Sequence, residues 1–262
     1  MTVPPRAPGT AARVVAFACL GALATAAAAQ PPATTAANAS PQGDTWASIA
    51  RLPDWSGTFA LDRFGHEFAG RESRSNDGGL VPLTPKGREL RQQAEHSDKQ
   101  PNLAQCLPAG VPGVMLHTML TEWLFTPGRV TVLFEDGEVR RIYTNRRTHL
   151  PLADLTGSYE GDSIGHWEGK TLVVDTVGFP NGELFQNGGL RATLHTHLVE
   201  RIFLRDHDHL EVDSVIDDPQ IFARPYAAKR IFEREHSQMQ EPMCAQSTRD
   251  HDNEIDLTPP AE

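Results

Sequence analysis

In "RVTVLFEDGEVRRIYT", residues 129–144, the pair Asp136-Gly137 separates two runs in which apolar and polar side chains alternate. Asp-Gly supplies the left-handed backbone that a tight turn demands, and the flanking period of two is that of strands, so this stretch reads as a hairpin. Glu168-Gly169 repeats the device ahead of the β-branched run Thr171–Val177, and the polar tip "RDHDH" joins the run 197–205 to the run 209–217. "DWSGTFAL" at residues 54–61 supplies a first strand and "YAAKRIFERE" at Tyr226–Glu235 a last one. Successive hairpins make a meander, and closing it, or nearly closing it, protects the edge strands. The expected fold class is mostly β: a single antiparallel β-barrel or β-sandwich domain of about nine strands, with one or two short helices. "LTPKGRELRQQAEHS" is the helix, with Thr84 as its cap, Pro85 at the first position and Leu90 and Ala94 on one face. "CLPAGVPGVM", residues 106–115, is too rich in Pro and Gly for regular structure and is expected to wrap the barrel or sandwich as a loop.

The chain opens "MTVPPRAPGTAARVVAFACLGALATAAAAQPP", with Arg6 and Arg13 ahead of an apolar run that ends in small residues. That order is the order of a secretory signal peptide, here residues 1–29; the apolar run falls short of the ~20 residues a membrane-spanning helix needs. Residues 30–45, rich in Ala, Thr, Pro and Ser, read as a flexible leader, 46–250 as the β domain and 251–262 as a flexible C-terminal tail. The expected location is the periplasm or the extracellular space, with no membrane insertion after signal cleavage. Of 24 basic groups, Arg6 and Arg13 leave with the signal, so 22 remain against 34 acidic ones, a net charge of −12. Such a surface disfavours nucleic acid and anionic lipid as partners. Cys19 leaves as well, and Cys106 and Cys244 remain in an oxidising space, where a disulfide is the default and two buried thiols the alternative. Closing so long a loop stabilises a fold by roughly 4–5 kcal/mol in the chain-entropy account.

"DWSGTF" (54–59), "CLPAGVPGVM", "GHWEGKTLVVDTVGF" (165–179), "ERIF" (200–203), "DDPQIFARPY" (217–226) and "MCAQ" (243–246) together resemble a group of exported bacterial proteins. Its members share a DLSGxW-like start, a CLPPGVPR-like loop, GxWEGxTLVVDTxGF, ER[FI], DDPxxYxxPW and a late Cys. The chain departs from the pattern at Phe59 and Tyr226, where the group has Trp. The resemblance implies the same topology and a Cys106–Cys244 disulfide, and carries no mechanism. Gly57-Thr58-Phe59 is also similar to a degenerate form of the first-strand Gly-x-Trp of lipocalin-type barrels.

The candidate chemistry centres on "LHTHLVER", residues 194–201. On one strand His195, His197, Val199, Arg201 and Phe203 share a face, while Thr196, Leu198, Glu200, Ile202 and Leu204 share the other. His195 and His197 therefore pair as metal ligands on a strand must, with Glu200 turned away. The spacing from Gly189 through the two histidines to Glu200 is one or two residues short of a cupin's. If a metal binds, Zn or Fe suits imidazole, and His117, His149, His166 or Asp175 is the third ligand. No phosphate loop or dinucleotide fingerprint is present, so the expectation is no cofactor, with Zn or Fe as the alternative.

Glu200, among apolar residues, needs a guanidinium from Arg146, Arg147, Arg201 or Arg224, because burying a carboxylate unpaired costs several kcal/mol. It is a register-fixing salt bridge or a general acid or base facing a cavity. Asp175 caps the Gly- and Asn-rich loop after its strand or joins the catalysis; Asp217-Asp218-Pro219 makes a turn. "GDSIG" matches the nucleophile elbow in letters, but a hairpin follows Ser163 where that motif requires a helix. The leading function is a barrel or sandwich holding a small, partly apolar organic molecule. Glu200, His197 and Asp175 are its candidate acid/base residues, and Trp167, Phe203, Arg147 and Arg201 its candidate ligand contacts. Trp55, Phe59, Trp123 and Phe134 supply lining or core. A metal-dependent enzyme built on His195 and His197 and a non-catalytic envelope protein are the alternatives.

Overall fold

The structure, a computed structural model, describes residues 43–62, 81–96, 102, 105–146, 148–185 and 190–241. The expected signal segment, nearly all of the leader and the tail from 251 lie outside them, as do Arg147 and Cys244.

Nine strands close into a barrel: β1 Thr58–Leu61, β2 Leu120–Thr126, β3 Arg129–Phe134, β4 Val139–Tyr143, β5 Asp162–Glu168, β6 Thr171–Val177, β7 His197–Leu204, β8 His209–Asp217 and β9 Tyr226–Glu235. Each pairs with its neighbours in sequence, and β1 returns to β9 through Thr58↔Glu235 to Leu61↔Phe232. The architecture is thus the barrel and not the sandwich. The expectation of consecutive antiparallel strands needs one correction, since β4 and β5 are parallel, with Ile142 opposite Ser163. Residues 144–161, including a 3-10 turn at Leu152–Leu155, carry the chain back to the end where β4 began. A parallel pair demands a connection of this length.

Alternation within each strand sends one set of side chains inward. Phe59, Trp123, Val130, Val132, Phe134, Ile142, Leu172, Val174, Leu198, Ile202, Leu210, Val212, Ile216 and Phe232 form the core. At one barrel end the connections are tight, and Gly137 and Gly169 adopt φ of 90° and 63° in their two hairpins, one at each end. Trp55 fills the tight end edge-on against Trp123, Phe125 and Trp167, with ring centroids 5.4, 5.2 and 5.5 Å away.

The other end receives the long connections β1–β2, β6–β7 and β8–β9. Helix α1, Trp46–Ile49, precedes β1; helix α2, Pro85–Glu95, lies in the β1–β2 connection with the Thr84 hydroxyl accepting from Gly87 N–H at 2.9 Å and donating to the Gln220 carbonyl at 2.6 Å. The "CLPAGVPGVM" segment is a loop that ends in a 3-10 turn, Gly113–Leu116, and residues 109–116 are all buried. Gly110 is at φ 68°, and a β-carbon there would stand 2.4 Å from the Tyr159 carbonyl oxygen, so only glycine fits. Asp218 knits the remaining loops: its carboxylate accepts from the hydroxyls of Thr193 and Thr196, both at 2.7 Å, and from Gln220 N–H at 2.9 Å. Among the described residues no helix is long and apolar enough to cross a membrane.

Candidate functional site

The inner wall is not wholly apolar. Arg140 on β4, Ser163 on β5, Thr176 on β6 and Glu200 on β7 meet inside it. The Arg140 guanidinium forks onto Glu200, Nη1 to Oε1 at 3.2 Å and Nη2 to Oε2 at 2.5 Å, with side-chain exposures of 0% and 1%. Nη2 also donates to Thr176 Oγ1 at 3.0 Å, and the Ser163 hydroxyl lies 2.9 Å from that of Thr176 and 3.4 Å from Arg140 Nε. Beside Glu200 in register, Ser214 accepts from Arg230 Nη1 at 3.0 Å. Glu200 is therefore buried and paired as expected, but with Arg140 instead of the four arginines nearer in the reading. Four strands contribute, which makes this ion pair a fixture of the closed wall. Desolvating two charges costs several kcal/mol each, and a forked, hydrogen-bonded geometry is what offsets it.

A second polar group stands at the end that carries the long connections. Glu138, just ahead of β4 and in phase with Arg140, accepts from Ala109 N–H at 2.5 Å and Gly110 N–H at 2.9 Å, which ties the 106–116 loop to the wall. Asp136 Oδ1 accepts from Glu138 N–H at 3.0 Å, while its Oδ2 lies 3.6 Å from His117 Nδ1. Both Glu160 oxygens are buried, and no N–H or hydroxyl among the described residues donates to either. Its polar neighbour is the Glu138 carboxyl, with which it shares a hydrogen bond when one of the two is protonated. Burial first, and then the facing Glu160, push Glu138 up to about 9. Burial pushes Glu160 up too, with Glu138 and Arg140 pulling it back. Two carboxyls so close and so dry keep a proton between them at neutral pH.

The outer wall brings three more of the expected residues together. Asp175 on β6 accepts at one oxygen, Oδ1, from His149 Nε2 at 3.1 Å and His197 Nε2 at 2.7 Å. His149 Nδ1 meets Asp162 Oδ2 at 3.0 Å, and Asp162 is held in turn by Arg146 and Leu150 N–H. Burial alone would raise Asp162, but Arg146, the Leu150 amide and His149 outweigh it and hold the carboxyl below its ordinary range. Asp175 spends its carboxylate on histidines and not on capping the next loop. Asp175 and His197 stay 43% and 45% exposed, on the opposite side of the wall from Glu200. The three candidate acid/base residues thus divide into two places.

Other expectations are corrected by position. His195 is in the turn before β7, its N–H donating to Thr193 Oγ1, so it does not share a strand face with His197. Among the described residues no group of three or more His, Cys, Asp or Glu is placed to hold a metal. Arg201 is on the outer face, 2.9 Å from Glu168 Oε2, and Phe203 shares that face, so neither lines the interior. Trp167 is inside, among the rings around Trp55. Ser163 stands on a strand followed by a hairpin, as no nucleophile elbow does, and the His207-Asp208 tip is solvated. Sequence reasoning missed Arg140, Thr176, Glu138 and Glu160. For the first the signal was present, because Arg140 is in phase with Ile142.

No family model and no curated protein matches the chain. The site is read from its chemistry.

Proposed function

We propose that this is an exported β-barrel protein that holds a small, partly apolar organic molecule at the end carrying the long connections, against Glu138, Glu160 and the Arg140–Glu200 pair. The observation that carries the reading is the Glu160 carboxyl, buried on both oxygens and without an N–H or hydroxyl donor among the described residues, beside a loop whose Ala109, Val111, Val114 and Met115 belong to the core. An apolar wall with a few convergent polar groups is how small-molecule sites are built. A carboxyl pair sharing one proton also has what lyase, isomerase or hydrolase chemistry asks of a general acid and base. Glu200, paired at both oxygens with the guanidinium, orients Arg140.

The test is ligand-induced stabilisation of the mature protein with small alcohols, acids and amines carrying short apolar chains. A binder at a hundred times its Kd adds about 2.7 kcal/mol, on the order of 5–10 °C in Tm for a domain of this size. A barrel that none of these shifts would sink the reading.

The export proposal brings the Cys106–Cys244 disulfide with it. Peptide mass spectrometry of unreduced protein should give the cross-linked pair; a free Cys244 refutes it. A second reading, acid/base chemistry on the outer wall, has one observation in its favour, the two imidazoles on a single exposed Asp175 oxygen. It predicts that His197→Ala abolishes turnover without touching ligand-induced stabilisation.

A further inference from the structure

Four buried side-chain atoms with no hydrogen bond outside their own cluster fall in one neighbourhood: Oε1 and Oε2 of Glu160, Oδ2 of Asp136 and Nδ1 of His117. Three of the four are carboxylate oxygens. Apart from His117 Nδ1, 3.6 Å from Asp136 Oδ2, and the proton that Glu138 and Glu160 share, the donors around them are engaged elsewhere. Ala109 and Gly110 N–H serve Glu138, Glu138 N–H serves Asp136 Oδ1, and the Arg140 guanidinium is turned to Glu200, Thr176 and Ser163. The acceptor positions that remain call for a group that brings its own donors.

Its charge must also suit the surroundings. The charges of Asp136 and Glu200 act against ionisation of the Glu160 carboxyl, while the hydrogen bond with Glu138 and the Arg140 cation favour it, and His117 stands beside Asp136. An anion entering here meets the Asp136 carboxylate and the single negative charge of the Glu138–Glu160 pair away from water, where such interactions are strongest. We infer that the Asp136–Glu138–Glu160 cluster is a binding site for the positively charged, donor-rich head of a small molecule, an ammonium or guanidinium group.

This rests on the barrel reading above and names the ligand class for the same site. The apolar remainder of such a molecule has the buried 109–116 loop as its wall. A cation seated on the carboxyl pair favours its ionised form and displaces the shared proton. Binding near neutral pH therefore releases a proton, and it tightens as pH rises toward about 9, where Glu138 has lost its own.

The probes are four molecules with one butyl chain: butylguanidinium, butylammonium, butanol and butyrate, titrated calorimetrically into the mature protein in buffers of different ionisation enthalpy. The two cations should bind at least roughly tenfold tighter than butanol, a difference of about 1.4 kcal/mol, with proton release, and butyrate should bind weakest. Glu160→Gln, which keeps the shape and a donor-acceptor amide, should lose that preference, and Glu138→Gln provides the second variant if the first fails to fold. Butanol binding as tightly as the cations overturns this inference and leaves the barrel reading standing. No binding by any of the four, with the Tm panel above also silent, overturns both. Cation preference that survives in both glutamine variants assigns the charge recognition elsewhere and likewise overturns it.

Discussion

Glu200 is the residue whose role the fold decides most sharply. Removing its carboxylate strands the Arg140 guanidinium in a dry interior, so Glu200→Ala should cost about 3–5 kcal/mol in urea unfolding. The paired replacement Arg140→Met with Glu200→Leu should recover most of that loss, because it removes both charges together. A single variant as stable as the parent would show that water reaches the pair.

Glu138 makes the opposite kind of prediction, one of pH. Its unfolded carboxyl ionises in the ordinary range, while the folded one holds its proton until about 9. The folded state therefore binds more protons between those values, and its stability falls as pH rises, by at most about 1.4 kcal/mol per unit. Glu138→Gln removes this dependence, so the variant should gain on the parent from pH ~5 to ~8; parallel curves would refute the buried shift. Parity alone located Glu200 on the inner wall and His197 on the outer one. The partner of Glu200 was beyond it, because the neighbours of a strand residue along the chain are readable, whereas those across the barrel depend on strand order.

At the scale of elements, two hairpins were legible from a Gly with positive φ in a short turn, at Gly137 and Gly169, whereas Gly128 between β2 and β3, at φ 76°, was passed over. The helix was legible from its cap, Thr84, and from Pro85. The β4–β5 crossover was not, since a parallel connection is usually announced by a helix and the described residues of 144–161 offer a 3-10 turn instead. Nor was the start of β7: Thr193 and Thr196 are drawn into a turn by Asp218, which takes His195 off the strand. Glu160 stayed hidden for a related reason, as it belongs to the end of that crossover and meets Glu138 only once the loops are in place.

The 106–116 loop is the element on which the site depends, and Gly110 is its hinge-pin. Gly110→Ala drives a β-carbon to 2.4 Å from the Tyr159 carbonyl at φ 68°. It should lower stability by about 1–3 kcal/mol and weaken ligand stabilisation more than Gly169→Ala in an exposed turn, which meets nothing within 4 Å. Equal effects of the two changes on ligand stabilisation would detach the loop from the site.

For the whole molecule, closure is what separates the barrel from the sandwich, and it rests on the short pairing of β1 with β9. No run of residues advertises that contact, which is why alternation gives strands and turns but leaves the two architectures open. There is a further consequence of the β4–β5 pairing. In a ring of strands that only ever alternate up and down, the last must run opposite to the first, so the number of strands is even. Nine strands close only because one neighbouring pair points the same way. That single fault in the alternation is where Arg140 and Ser163 face each other and where Glu138 meets Glu160. Losing the fault would require adding or deleting a strand, so the parity of the ring and the existence of the site are inherited together.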